Sequence, residues 1–166
     1  SGTSGYDHPA SESLCRSRIS DHLCSYFAAN RISLANHGLS DQVDHYNHAL
    51  VALSKEAVQG KALIAGDITT TSKMDAEYDE LLSAYEEQIT ALVDAGVDLL
   101  IAETMIGADE TMAVIDAAHA VCDLPILCSL TMQADGSLFF GGIFSRQHRC
   151  SKRWVQMRSV SIVPQA

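Results

Sequence analysis

Three short apolar runs in this chain end in side chains that can move a proton or hold a hydrogen bond. Val97–Met105 (VDLLIAETM) passes through Leu99, Leu100, Ile101 and Ala102 into Glu103 and Thr104. Lys61–Asp67 (KALIAGD) ends in Asp67, and Leu124–Thr131 (LPILCSLT) closes on Ser129 and Thr131. A run of this kind reads as a strand buried on both faces, as in a parallel sheet covered by helices. Parallel α/β folds build their sites at the carboxyl ends of such strands. Carboxylates and hydroxyls placed there can line a substrate pocket, or they can cap the helices that follow and pair with surface cations. Three strands that all close on polar residues point to an enzyme rather than a scaffold.

Helices must separate these strands. One is expected from about Asp41 to Gln59, with Ser40 as its cap, Val43, Tyr46, Leu50 and Ala57 facing inward, and Gly60 as its stop. A second is expected from about Met74 to Ala95. Its apolar stripe is Tyr78, Leu81, Leu82, Tyr85, Ile89, Leu92 and Val93, opposite Glu77, Glu80, Glu86 and Glu87. A third runs from about Asp109 to Val121, with Met112, Ile115, Ala118 and His119 turned inward. Alternation of helix and strand implies βαβ crossovers and a parallel sheet. Three or four units make either a small open sheet or part of an eight-stranded barrel.

The composition narrows the class. At 166 residues with 47% hydrophobic and 19% charged content, the chain can bury the core of one domain. A formal charge of -10 argues against a nucleic acid or an anionic membrane as partner. No apolar run approaches a membrane span, and no signal-peptide layout opens the sequence. Cys15, Cys24, Cys122, Cys128 and Cys150 are odd in number and irregular in spacing. That pattern favours thiols in a reducing cytoplasm over a disulfide framework. His45 and His48 lie three residues apart on the first long helix, a spacing that suits one metal ion, but they read better as a solvated face. His37 reads as a loop residue and His119 as a packed one. The pair Gly141-Gly142 makes no phosphate-binding loop.

The ordered set Ala29-Asn30-Arg31-Ile32-Ser33-Leu34, Gly38-Leu39, Ala65-Gly66-Asp67-Ile68, Ala95-Gly96-Val97-Asp98 and Glu103-Thr104-Met105 resembles the homocysteine S-methyltransferase family. The resemblance extends to the homocysteine-binding barrel of cobalamin-dependent methionine synthase. The resemblance implies a (β/α)8 TIM-type barrel, of which residues 27–142 would supply about strands 2 to 5. It implies a homocysteine substrate, with Glu103 holding the amino group and Thr104, Asp67, Asn30 and Ser129 around it. Asn30 would touch substrate or pin its loop. It also implies zinc held by three cysteines, one in a Gly-x-Asn-Cys motif and two adjacent near the barrel's end. Zinc lowers the thiol pKa so that a thiolate attacks the methyl donor, methylcobalamin or a methylfolate, to give methionine. Cys122 and Cys128 do not match those positions. Thr69-Thr70-Thr71 also stands where the family often has a Gly-Pro step.

From Phe144 onward the sequence changes character. Arg146, His148, Arg149, Lys152, Arg153 and Arg158 crowd a stretch with no period. Read one nucleotide earlier, synonymous codons for residues 144–165 permit Leu-Gly-Ala-Asp-Ala-Val-Gly-Ile-Asn-Cys-Ser, and Trp154 before Val155 forces a glycine in that frame. A reading-frame slip near Gly142–Phe144 is therefore expected, with residues 143–166 a frame-shifted tail. Residues 1–26 read as a ragged leader, or as a second out-of-frame stretch. On this reading the chain is an inactive part of the enzyme, and its open barrel edges favour self-association. The alternative is a non-catalytic α/β binding module with a basic C-terminal arm. An aldolase-like reading would need a lysine closing a strand, and Lys61 opens one.

Overall fold

The computed structural model describes residues 28–71 and 73–133, together with the backbone of two strands, 21–23 and 155–160. From the second helix to the fourth strand the elements alternate along the chain. The elements are β1 (Asp21–Leu23), α1 (Arg31–Ala35), α2 (Val43–Val58), β2 (Leu63–Ile68), α3 (Tyr78–Asp94), β3 (Leu99–Met105), α4 (Ala108–Val121), β4 (Ile126–Thr131) and β5 (Val155–Val160). The strands lie in the order β1-β2-β3-β4-β5, every neighbouring pair parallel. Each crossover thus carries the chain one place in the same direction. α2 packs on α3 and α3 on α4, so these helices form one layer along one face of the sheet. β1 falls inside the stretch read as a leader, and β5 inside the stretch read as a frame-shifted tail. The rest of those two stretches, with the slip itself at Gly142–Phe144, lies outside the described residues.

Alternation along the strands decides what faces the helices. A Cβ on Gly66 would meet Leu100 Cδ2 and Leu92 Cδ1, both at 3.1 Å, so Gly66 points at α3 with Ile64 and Ile68 beside it. Leu100 and Ala102 of β3 and Ile126, Cys128 and Leu130 of β4 join that side. They meet Leu81, Tyr85, Ile89 and Leu92 of α3 and Val114 and Ile115 of α4 in one buried cluster. Tyr85, Ile89 and Leu100 are fully excluded from solvent. Burial of each such side chain contributes about 1.5–3 kcal/mol, which makes this layer the main source of stability. Ala65 and Asp67 project to the opposite face.

The helices differ from the sequence reading mainly at their ends. α2 begins at Val43 after Gln42, not after Ser40, and no side chain caps it. Its buried face is Val43, Asn47, Val51 and Val58, while Ala57 is exposed. Asn47 is drawn inward because its Nδ2 donates to the carbonyls of Ala29 (2.9 Å) and Val43 (2.7 Å). α3 starts at Tyr78, four residues after the expected Met74, which is 71% exposed. Met112 and His119 of α4 also face solvent, and Ala113, Val114, Ala117 and Ala118 take the inward positions. His45 is exposed as expected, and Asp44 lies 3.4 Å from His48, one helical turn earlier. Among the described residues no helix is long and apolar enough to cross a membrane.

Two glycines end helices where left-handed backbone is required. Gln59 (φ 49) and Gly60 (φ 72) turn the chain out of α2, as the sequence suggests for Gly60. Gly96 (φ 81) turns it out of α3, just after the Ala95 carbonyl that accepts from Lys55 Nζ at 2.7 Å. Two residues on, Asp98 joins β3 to β2 through both its backbone and its side chain. Its N–H donates to the Ile64 carbonyl (2.8 Å), and its Oδ2 accepts from the Ile64 N–H (2.7 Å). A Cβ at position 96 would sit 2.7 Å from Lys55 Nζ as well as in a strained conformation. Gly96→Ala is therefore expected to cost about 1–2 kcal/mol, read as a lower urea midpoint with an unchanged slope.

Candidate functional site

The face of the sheet away from the helices changes character along the strands. Leu63, Ala65 and Asp67 follow one another on β2, then Leu99, Ile101 and Glu103 on β3, then Leu127, Ser129 and Thr131 on β4. Register sets Asp67 beside Ile101, and Ile101 beside Leu127. Apolar side chains thus occupy the lower part of this face and polar ones its carboxyl end. The expected residues Asp67, Glu103 and Ser129 come together there from three adjacent strands.

β3 is irregular where Glu103 leaves it. Ala102 pairs with Cys128 and Met105 with Leu130, so two residues, Glu103 and Thr104, stand opposite the single Ser129. That two-for-one count is a β-bulge, a device that bends a strand and re-aims its side chains. Thr104 takes φ 58, a left-handed conformation that β-branched residues avoid. Its N–H, turned out of the ladder, donates to Ser129 Oγ at 3.2 Å. Thr104 is exposed, and its part in the site is this backbone donor. Ser129 is the acceptor that receives it.

Asp67 is the most perturbed carboxyl on this face. It is 3% exposed, and its Oδ1 has no hydrogen-bond partner. Burial, and secondly the negative charge of Glu103, push its pKa from 3.8 up to about 7, with the Ile68 N–H opposing the rise. Glu103 is half-buried, and its pKa is raised by burial alone. Asp67 is therefore poised to hold a proton near neutral pH beside the carboxyl of Glu103. Thr131 is buried at the end of β4. Asn30 lies beyond β1 with no exposed surface. Its Oδ1 accepts from the Ser33 N–H at 2.9 Å and caps α1, while its Nδ2 is buried without a partner. The structure thus makes Asn30 a pin for its loop.

Sequence reading missed the carboxylate that holds the rim. Glu110, in the first turn of α4, accepts from Thr70 Oγ1 (2.6 Å), Thr71 N–H (2.6 Å) and Thr71 Oγ1 (2.8 Å). Tyr85 of α3 places its hydroxyl 2.8 Å from Glu110 Oε1 and 3.0 Å from the Thr69 carbonyl. Burial and the charge of Glu110 raise the pKa of Tyr85, which keeps the phenol protonated as a donor. Thr69 Oγ1 in turn donates to the Glu103 carbonyl at 3.0 Å. The Thr-Thr-Thr run that departs from the family pattern is thus a set of donors, and its signal was three hydroxyls in succession. A cleft of about 730 Å³ borders this loop, lined by Arg31, Ile32, Thr71, Lys73, Glu80 and Ser83 among others. It does not reach Asp67 or Glu103. Its two cations are already paired, Arg31 with Glu87 and Lys73 with Glu80.

The zinc that the resemblance implies finds no ligand set here. Among the described residues no three His, Cys, Asp or Glu side chains are close enough to share an ion. Cys122 follows the end of α4, and Cys128 is buried on the helix side of β4, opposite in direction to Asp67 and Glu103. These residues do not fit the metal, and no step is assigned through it.

Fold and site together define an α/β protein with a consecutive parallel sheet and an acidic face at the strands' carboxyl ends. The family model for homocysteine S-methyltransferase matches residues 23–144, and the chain belongs to that family. Among solved structures, the homocysteine methyltransferase MmuM from Escherichia coli has a similar fold. Its oxidized form gives a TM-score of 0.69 at 19% identity, covering 80% of this chain and 53% of that one. Its apo form gives 0.62 at 18% identity, covering 80% and 51%. The chain therefore spans about half the length of those enzymes. Comparison with curated protein sequences returned no match.

Two variants test this geometry. Unfolded, Asp67 titrates near its ordinary 3.8, whereas the folded chain holds it at about 7. The folded state binds more protons between those values, so this group's contribution to stability falls as pH rises from about 4 to about 7. Asp67→Asn is expected to raise the melting temperature at pH 8 by a few degrees and to leave it nearly unchanged at pH 4. Glu110→Ala strands the donors of Thr70, Thr71 and Tyr85, and is expected to cost about 2–4 kcal/mol in urea unfolding at pH 7.

Proposed function

We propose that this chain is part of a (β/α)8 barrel that binds homocysteine for methyl transfer to its thiol, giving methionine. The observation that carries the reading is the convergence of Asp67, Glu103 and Ser129 at the carboxyl ends of three consecutive parallel strands, the place where barrel enzymes hold substrate. Membership of the homocysteine S-methyltransferase family supplies the substrate class. Glu103 holds the α-ammonium group, and the Ser129 hydroxyl, already accepting from Thr104, offers its proton to the substrate carboxylate. Asn30 shapes the rim from the loop after β1. The methyl donor in this reading is methylcobalamin or a methylfolate.

Thiol activation falls to the Gly-x-Asn-Cys motif and the paired cysteines that the resemblance implies, which are not among these 166 residues. The chain alone is expected to bind the amino acid without turning it over. The frame slip near Gly142–Phe144 belongs to the same reading.

Titration calorimetry of the 166-residue chain with L-homocysteine checks the binding half. Saturable binding is expected, weakened roughly tenfold or more in Glu103→Gln, as befits the loss of a charge-assisted hydrogen bond. Absence of binding, or equal binding by the variant, removes the assignment. Sequencing the coding DNA across codons 138–166 checks the other half. One inserted or deleted base that restores Gly-Ile-Asn-Cys is expected, and an intact frame favours the binding-module alternative.

A further inference from the structure

Asp67 is a buried carboxyl that substrate binding through Glu103 alone does not explain. It projects to the same face of the sheet as Glu103, from the neighbouring strand, and has almost no contact with solvent. One of its oxygens is buried with no donor in reach. Leaving such an atom unpaired is costly, and proteins carry that cost where a ligand completes the set. Three cations of the neighbouring helices and loop are engaged elsewhere: Arg31 with Glu87, Lys73 with Glu80, and Lys55 with the Ala95 carbonyl. Among the described residues no basic side chain bonds to Asp67 or Glu103.

We propose that Asp67 and Glu103 form a two-carboxylate seat for a primary ammonium group, in which the ligand's ammonium takes the place of a proton on Asp67. This inference rests on the homocysteine-binding reading and adds to it a second anionic wall and a proton released on binding. The exchange balances. A protonated Asp67 carboxyl and a free R–NH3+ become an Asp67 carboxylate hydrogen-bonded to R–NH3+, and one proton leaves to the buffer. No covalent bond to carbon or sulfur changes. The ammonium donates to Asp67 Oδ1 and to Glu103 and neutralises one of the two charges, which otherwise repel across a partly dry face.

The surroundings of Asp67 support a proton on that group in the empty chain. From β3 the titratable group facing it is Glu103. From α3 the nearest polar group is the neutral Gln88, whose Nε2 lies 3.4 Å from the Asp67 carbonyl. α2 presents Val51 and Val58 to the core on the helix side. The side chains of β1 lie outside the described residues. Burial and Glu103 both act against ionisation, and a bound cation reverses the second effect.

Calorimetry of the 166-residue chain in two buffers of different ionisation enthalpy counts the protons. L-Norvaline, which has a methyl group where homocysteine has its thiol, serves as the probe beside L-homocysteine, so that no thiol titrates. Close to one proton released per ligand is expected at pH 6, falling toward none at pH 8.5. Norvaline affinity is expected to rise about tenfold from pH 6 to pH 8, as a group titrating near 7 loses its proton. In Asp67→Asn, release and pH dependence both vanish while binding persists more weakly. In Glu103→Gln the pH midpoint of release shifts down. The des-amino analogue 4-mercaptobutanoate is expected to bind without release at pH 6. Binding of the amino acids with no proton released, or release that survives Asp67→Asn, overturns this inference and leaves the homocysteine reading standing. No binding of either amino acid at any pH overturns both.

Discussion

The Glu110 carboxylate gathers donors from two other segments onto the first turn of α4, and the carboxyl end of the sheet takes its shape from that gathering. Thr70 and Thr71 come from the loop that leaves β2, and Tyr85 comes from the middle of α3. A carboxylate near a helix N-terminus is favoured by the unpaired N–H groups there, so Glu110 is held from its own helix as well as by its neighbours. Charge-assisted hydrogen bonds to a partly dry carboxylate are the stronger kind. Fixing the β2 loop fixes Thr69, and Thr69 Oγ1 grips the carbonyl of Glu103. The direction in which Glu103 leaves β3 is therefore set by a residue on a different element.

Much of this was legible in the sequence, and the parts that were not share a cause. The apolar runs ending at Asp67, Glu103 and Thr131 declared themselves as strands because both of their faces are covered or partly covered, and no other arrangement of four or five such residues is as simple. The carboxyl-end position of the site followed from the order of elements alone. Helix ends were less readable. Ser40 has the chemistry of a cap, yet Gln42 occupies that place without capping, because Asn47 ties the start of α2 to the Ala29 carbonyl and so sets where the helix can begin. Met74 to Glu77 continue a helical pattern on paper, but Lys73 and the threonines before it are held by Glu80 and Glu110, and the chain turns into α3 only at Tyr78. Long-range hydrogen bonds decided both cases. Periodicity is blind to them.

The bulge at Glu103 and Thr104 is of the same type. Nothing in Ala-Glu-Thr-Met marks a threonine for left-handed backbone, which costs about 1–3 kcal/mol. The conformation persists because Ser129 Oγ takes the displaced N–H and Met105 regains register with Leu130 on the buried side. Among the described residues, buried side-chain polar atoms without partners occur at Asn30, Asp67 and Gln88, and two of these three residues stand at the carboxyl end of the sheet. Strain and unmet hydrogen-bonding capacity thus gather where the fold places its site, and on the helix-facing side Gln88 Oε1 is the one such atom among the described residues.

The strictly consecutive order of the strands has a consequence for how the chain reaches this shape. Each strand's partner is the one that came just before it in the sequence, with two helices between β1 and β2 and one in each of the next two crossovers, so no pairing waits for a distant segment. Contacts of this kind are short-range in sequence, and loop closure for each addition is modest. The sheet can grow from one side as the polypeptide lengthens, each βα unit docking on the edge its predecessor left open and covering it. At every stage of such growth one fresh edge and one uncovered inner face are exposed. A chain built this way is a template for its own continuation, and equally for any matching set of strands that meets it.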